Sequence, residues 1–275
     1  MLILSSNYLL LNKKIALPSF LILLLLACHV DEKNQYPQSK KLATTEDSLL
    51  SLIQTHPDSL LPKENLLQFY RDSGRYDKAI QTNLNFLKKD SMNPRLHHTL
   101  GLLYLENDDT LNALASFSQA YNIYNNASDL IYAGAIYANK KDVKALIISD
   151  TLLKNFYEKS AKEAWLIKGI YFSGISQTQK AIACFDSAIQ IRFSFTEAYL
   201  EKAKTLKNIH HYKEAIQTLE KAVTINNNCP DAFIIMGECY ERLNETNNAQ
   251  NAYEQALMYE AENQDAKAAL KRLRP

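Results

Sequence analysis

Apolar and small residues return along this chain every 34 positions. Ala79, Ala113, Ala181, Ala215 and Ala249 lie on one such lattice, broken once at Ile147. Seven positions on, or two helical turns, Ala120, Ala188, Ala222 and Ala256 form a second lattice led by Phe86. Gly101, Gly169 and Gly237 form a third, completed by Leu67 and Ala203. Aromatic residues keep the same step in two further rows. One is Tyr70, Tyr104, Phe172 and Tyr240, with Leu206 substituting; the other is Phe117, Phe185 and Tyr253, with Leu219 between them. Several rows sharing one period predict a stack of like helical units, each burying against its neighbours a face it cannot bury alone.

The residue types follow from packing. A glycine or alanine on one helix facing an alanine on the next lets two helices approach to the close end of the usual separation of about 8–10 Å. Leucine and aromatic side chains then fill the spaces left between helices. This places most of the 16 tyrosines and 10 phenylalanines in the core rather than in a cofactor pocket or a base-stacking platform. Only 6 glycines and 7 prolines interrupt the chain, in keeping with helices and short connections.

The period and these residues resemble the tetratricopeptide repeat, a helix–turn–helix unit of 34 residues. The resemblance implies an all-α fold, a right-handed superhelix or solenoid of about six repeats. The units run 60–93, 94–126, 127–161, 162–195, 196–229 and 230–261. Trp165, Gly169, Phe172, Ala181, Phe185 and Ala188 make the fourth unit the clearest match, and Phe233, Gly237, Tyr240, Ala249, Tyr253 and Ala256 carry the sixth. The third departs from the pattern. Leu130, Gly134 and Tyr137 fit its first helix, but its second, Asp142 to Phe156, fits only with a shortened turn that brings Ala145 to the small position and Ser149 to the aromatic one. Residues 45–59, with Leu49, Leu52 and Ile53 on one face, read as an N-terminal capping half-repeat. Residues 262–275, with Ala266, Ala269, Leu270 and Leu273 at helical spacing, read as a C-terminal capping helix.

Ahead of this array lies a different pattern. Lys13 and Lys14 precede the nearly unbroken apolar run Ile15 to Ala27, the layout of a secretory signal. The run contains Pro18 and is shorter than the ~20 residues a spanning helix needs. Leu25-Leu26-Ala27-Cys28 resembles the bacterial lipobox, which implies cleavage before Cys28 and acylation of its thiol and new amino terminus. A conventional cleavage site fits less well, because Leu25 occupies the third position before the cut; a plain signal peptide and an uncleaved anchor are the alternatives. Residues 1–27 are thus read as a lipoprotein-type signal and residues 28–44 as a polar tether. His29 stands where an inner-membrane retention signal would place Asp, so the expected address is the envelope, by lipid anchor, at the outer membrane.

Charge narrows the partners. The formal net charge is +1; loss of Lys13 and Lys14, with no acidic residue, would take it to −1. That balance offers no basic stripe for nucleic acid. The adjacent pairs His97-His98 and His210-His211 point in different directions on a helix and suit neither a shared metal nor a dyad. No His-Glu-x-x-His, Gly-rich phosphate loop or Gly-x-Ser-x-Gly occurs. Cys184, Cys229 and Cys239 lack metal-ligand spacing and read as buried small residues. No enzyme activity, cofactor, metal or small-molecule substrate is expected.

In tetratricopeptide proteins the first helices line a concave groove. Carried over unit by unit, the resemblance implies groove positions at Glu64, Gln68 and Arg71, then His98, Leu102 and Leu105, then Ile131 and Ala135, then Leu166 and Ile170, then Leu200, Lys204 and Lys207, and last Ile234, Glu238 and Glu241. The ends are charged and the middle apolar. An exposed apolar strip marks an interaction site, here one expected to take a helix or extended segment of a partner protein. The carboxylate clamp of some family members is absent, since Glu64, Gln68, Thr99, Ile131 and Tyr132 occupy its places. A lipid-anchored adaptor, resembling pilotins and the repeat lipoproteins that dock envelope enzymes, is the expected function. The alternative is a cell-wall or carbohydrate-binding protein, which would need aromatic residues exposed in the groove.

Overall fold

The structure, a computed structural model, describes residues 46–273. The signal segment, Cys28 and the whole tether lie outside them. All regular structure among the described residues is helical: fourteen helices and no strand. They fall into two compact units, 46–136 and 137–273.

The first unit holds α1 (Glu46–Thr55), α2 (Leu60–Asp72), α3 (Tyr76–Lys89), α4 (Pro94–Glu106), α5 (Thr110–Ile123) and most of α6 (Ala127–Asn139). Pro94 opens α4, where a missing N–H costs nothing, and the Asn93 side chain accepts from the N–H groups of Arg95 and Leu96. Asp109 caps α5 through the N–H of Asn112. Leu66, Leu67, Tyr70, Leu96, Leu103 and Phe117 are buried, each stabilising the fold by roughly 1.5–3 kcal/mol relative to exposure. A Cβ at Gly101 would stand 2.6 Å from a Phe117 ring carbon, so the ring occupies the space an alanine would fill. The capping helix α1 packs on α2. Its first residue, Glu46, accepts hydrogen bonds from Lys78 (2.5 Å), the Tyr70 hydroxyl (2.8 Å) and Arg75 (3.0 Å). These donors, Lys78 foremost, hold its carboxyl down at about 2.

The second unit holds α7 (Lys144–Asn155), α8 (Tyr157–Gly174), α9 (Thr178–Ile191), α10 (Thr196–Asn208), α11 (Tyr212–Ile225), α12 (Pro230–Arg242), α13 (Thr246–Tyr259) and α14 (Gln264–Leu273). Gly169 and Gly237 meet Phe185 and Tyr253 as Gly101 meets Phe117. In α7, Ala145 and Ser149 are buried, and the Ser149 hydroxyl donates to the Ala145 carbonyl (2.8 Å), which satisfies a polar group at an otherwise aromatic position. The helix after it, α8, starts at Tyr157, well ahead of the expected unit boundary at Lys162. The terminal helix α14 buries Ala266, Ala269 and Leu270. Glu241 on α12 accepts from Arg272 on α14 (2.7 and 2.8 Å) and from the Tyr253 hydroxyl (2.6 Å). Cys184, Cys229 and Cys239 are buried free thiols.

One backbone device recurs at every turn inside a helix pair. Gly74, Asp108, Lys141, Ser176, His210 and Asn244 all adopt positive φ, between 57° and 69°. The residue after each donates its N–H back into the preceding helix: Arg75 to Tyr70, Asp109 to Tyr104, Asp142 to Tyr137, Gln177 to Phe172, His211 to Leu206 and Glu245 to Tyr240. This is a Schellman closure, in which a left-handed residue ends the helix and satisfies its open carbonyls. The acceptors reproduce the aromatic row of the sequence, now including Tyr137. Their spacing is one residue short before Tyr137 and one residue long after it. The first helix of the third repeat, α6, keeps the 13 residues of α4; the connection before it, 124–126, is one residue shorter than 90–93, and the 18-residue α8 takes the register back.

Candidate partner-binding face

Within each unit the first helices of successive repeats are joined directly by polar side chains. In the first unit Arg95 pairs with Glu64 (2.8 Å), Arg71 with Glu106, and His98 Nδ1 with Asp129 (2.7 Å). In the second, the hydroxyls of Ser173 and Thr205 meet at 2.9 Å, Lys207 pairs with Glu238, and Arg272 with Glu241. Every one of these contacts bridges one repeat to the next across the face where a partner was expected.

The residues placed on this face divide into two groups. His98, Leu102, Leu105, Lys204, Ile234 and Glu238 are half-buried and reach solvent. Ile131, Ala135, Leu166, Ile170 and Leu200 are buried, Leu166 and Ala135 completely. The exposed apolar strip expected through Ile131, Ala135, Leu166, Ile170 and Leu200 is thus corrected: these side chains are core. The physical reason is visible in the second unit, where α10 touches α8 and α12 directly as well as through the second helices. Side chains along that seam are covered by the neighbouring first helix.

His98 is built into its surroundings. Its ring lies edge-on to Phe117 and Tyr132, at 5.8 and 5.6 Å between centroids, while Phe117 and Tyr132 stack at 5.0 Å. Burial pushes the Tyr132 hydroxyl up to about 12. Lys204 donates to Glu201 (2.7 Å) and lies in the field of Asp231, whose carboxyl burial raises to about 6 against the pull of Lys204. These groups hold helices together. Among the described residues no group of His, Cys, Asp and Glu could hold a metal ion, and no helix is long and apolar enough to cross a membrane.

A polar cleft of about 650 Å³ opens in the second unit between the C-terminal ends of α10, α12 and α14. Lys207, Glu238 and Glu241 reach it, as the positions carried over from the repeat pattern imply; His210, Arg242 and Arg272 line it too. Of these three, only His210 was considered in the sequence, as half of an adjacent pair suited to neither a metal nor a dyad. The available signal was a cation in the last turn of each of the three helices, Lys207, Arg242 and Arg272.

Comparison with known proteins places the architecture. A tetratricopeptide repeat family model matches residues 210–273. A tetratricopeptide repeat protein from Parabacteroides merdae superposes with a TM-score of 0.68 at 19% identity, covering 83% of this chain and 90% of that one. PilW, a type IV pilus biogenesis factor, gives 0.62 at 19% identity, covering 76% and 96%. The BBS4 homolog of the Drosophila melanogaster BBSome complex is 23% identical over 193 residues, 70% of this chain. The chain spans 40% of that relative's length. The fold is a tetratricopeptide solenoid, an architecture of protein-interaction scaffolds.

Proposed function

We propose that this protein is a non-catalytic adaptor that holds a partner polypeptide on its first-helix face while acylated Cys28 fixes it to an envelope membrane. One observation carries the binding role. Leu102 and Leu105 in the first unit, and Ile234 in the second, remain half-exposed on first helices whose other aliphatic side chains are buried, so each unit keeps apolar contacts that its own core does not use. The repeat architecture supports the same reading. The anchor rests on the apolar run ending Leu25-Leu26-Ala27-Cys28. An adaptor of this kind needs an address as well as a binding face, and the lipid supplies it: two or more acyl chains hold a protein at a bilayer stably where one does not.

The test is site-specific photocrosslinking in intact cells. A benzophenone side chain at Leu102 or Ile234 is expected to capture a discrete partner, whereas the same probe at the exposed positions Leu111 and Met258 is not. Capture from all four positions alike, or from none, would overturn the binding role. The anchor has its own readout: Cys28→Ala abolishes labelling by a fatty-acid analogue, and undiminished labelling refutes the assignment.

A further inference from the structure

The polar cleft between the ends of α10, α12 and α14 has an unbalanced chemistry. Five charged side chains line it, and both carboxylates face cations of their own. Glu238 pairs with Lys207. Glu241 accepts from Arg272 through both oxygens and from Tyr253, and these donors draw its carboxyl below the usual range despite partial burial. The fifth group is Arg242. Its residue is exposed, and among the described residues its guanidinium forms no hydrogen bond or ion pair, acting on neighbouring Glu241 only through its field, the weakest of the influences on that carboxyl. The Asn208 side chain and the His210 ring add neutral polar groups, with His210 Nδ1 engaged by the Tyr212 hydroxyl (2.7 Å). The helix dipole accounts for one cation at each helix end. It does not account for three such ends opening onto one cleft with a single guanidinium left over.

We propose that this cleft takes an acidic stretch of a partner polypeptide, with a side-chain carboxylate held by the fork of Arg242. The proposal rests on the adaptor reading and names the chemistry of the segment recognised by the second unit. Arg242 offers two parallel N–H donors, the geometry a carboxylate accepts best. Glu238 and Glu241 do not oppose it, because Lys207 and Arg272 already neutralise them. A basic segment would meet Arg242 as a like charge.

The probe is a fluorescent hexaglutamate, acetylated at its amino end and amidated at its carboxyl end, titrated against the full chain in detergent at low salt. Saturable binding is expected, weakening about tenfold or more in Arg242→Gln, the loss of one charge-assisted contact. Arg242→Lys should fall between, because a point charge lacks the fork. Arg242 is exposed and unpaired, so both variants should keep the helical circular dichroism of the parent. Hexalysine should not bind. The proposal is overturned if hexaglutamate fails to saturate, if Arg242→Gln binds it unchanged, if hexalysine binds as well, or if binding requires a free terminal carboxylate. A partner crosslinked from Ile234 whose capture survives Arg242→Gln would leave the adaptor standing and remove the acidic segment. Arg242-dependent hexaglutamate binding without capture from Leu102 or Ile234 would do the reverse.

Discussion

The two units use the same kind of polar bridge between first helices, with different consequences. In the first, two of the three bridges have a member closed off from water, while Arg95, paired with Glu64, keeps 68% of its side-chain surface exposed. Arg71 and Glu106 keep 15% and 9% of their side-chain surface exposed, and Asp129 keeps 4%. In the second, Lys207 and Glu238 retain 27% and 44%, and Arg272 retains 63%. A desolvated pair must find its partner or cost the fold dearly, whereas a solvated pair can exchange its partner for another ligand at little cost. The first unit therefore spends its inner charges on holding repeats together. The second leaves them open around a cleft.

Breaking one bridge in each unit tests this contrast most severely. Arg71→Ala strands Glu106 in a poorly hydrated site and should lower unfolding free energy by about 3 kcal/mol in chemical denaturation. Arg272→Ala removes an exposed arginine and leaves Glu241 its bond from Tyr253, so the midpoint should hardly move. Equal losses would show that exposure does not separate the units. The next effect should be the same in both. Gly101→Ala and Gly237→Ala each drive a methyl into a ring, a cost of about 1–3 kcal/mol, partly offset by the helix preference for alanine. Shrinking the ring in Phe117→Leu or Tyr253→Leu should restore part of the loss, a coupling that a double-mutant cycle reads directly.

Acid provides a smaller probe of the second unit. Asp231 faces Lys204, Glu201 and Glu260, and its pKa of about 6 lies above that of the unfolded chain. The native state thus binds the extra proton between roughly pH 4 and 6, so this group's contribution to stability falls as pH rises through that window. Asp231→Asn should raise stability at neutral pH by about 1 kcal/mol and flatten the slope over the same window. An unchanged slope would remove the ionised Asp231 as its source.

Much of this architecture was legible because it repeats. Glycine, alanine and aromatic rows at one period disclose helix pairs, and Ala145 with Ser149 discloses the odd second helix. The bridges were not legible. His98 to Asp129 and Lys207 to Glu238 are 31 residues apart, Arg71 to Glu106 is 35, and a search at 34 passes over them all. The apolar strip was misread for a related reason. Leu166 and Leu200 occupy groove positions of the repeat, but position within a repeat does not report how closely the next first helix lies over it. Arg242 escaped because a lone exposed arginine carries no signal until its neighbours are seen to be paired.

The turns offer the finest comparison, because the same backbone state is held by glycine at Gly74 and by side-chain-bearing residues at the other five. Gly74 has φ 69° with nothing near an added Cβ, while Ser176 has φ 62°. For an ordinary L-residue this conformation costs about 1–2 kcal/mol, and glycine avoids that cost but gives up more chain entropy on folding. Ser176→Gly should therefore stabilise by about 0.5 kcal/mol, and Gly74→Ala should destabilise by about 1 kcal/mol, both read from denaturation midpoints at constant slope. The sign is what matters. If Ser176→Gly weakens the fold, the Ser176 side chain contributes more than its backbone strain costs, and the Schellman turns are not interchangeable between the units.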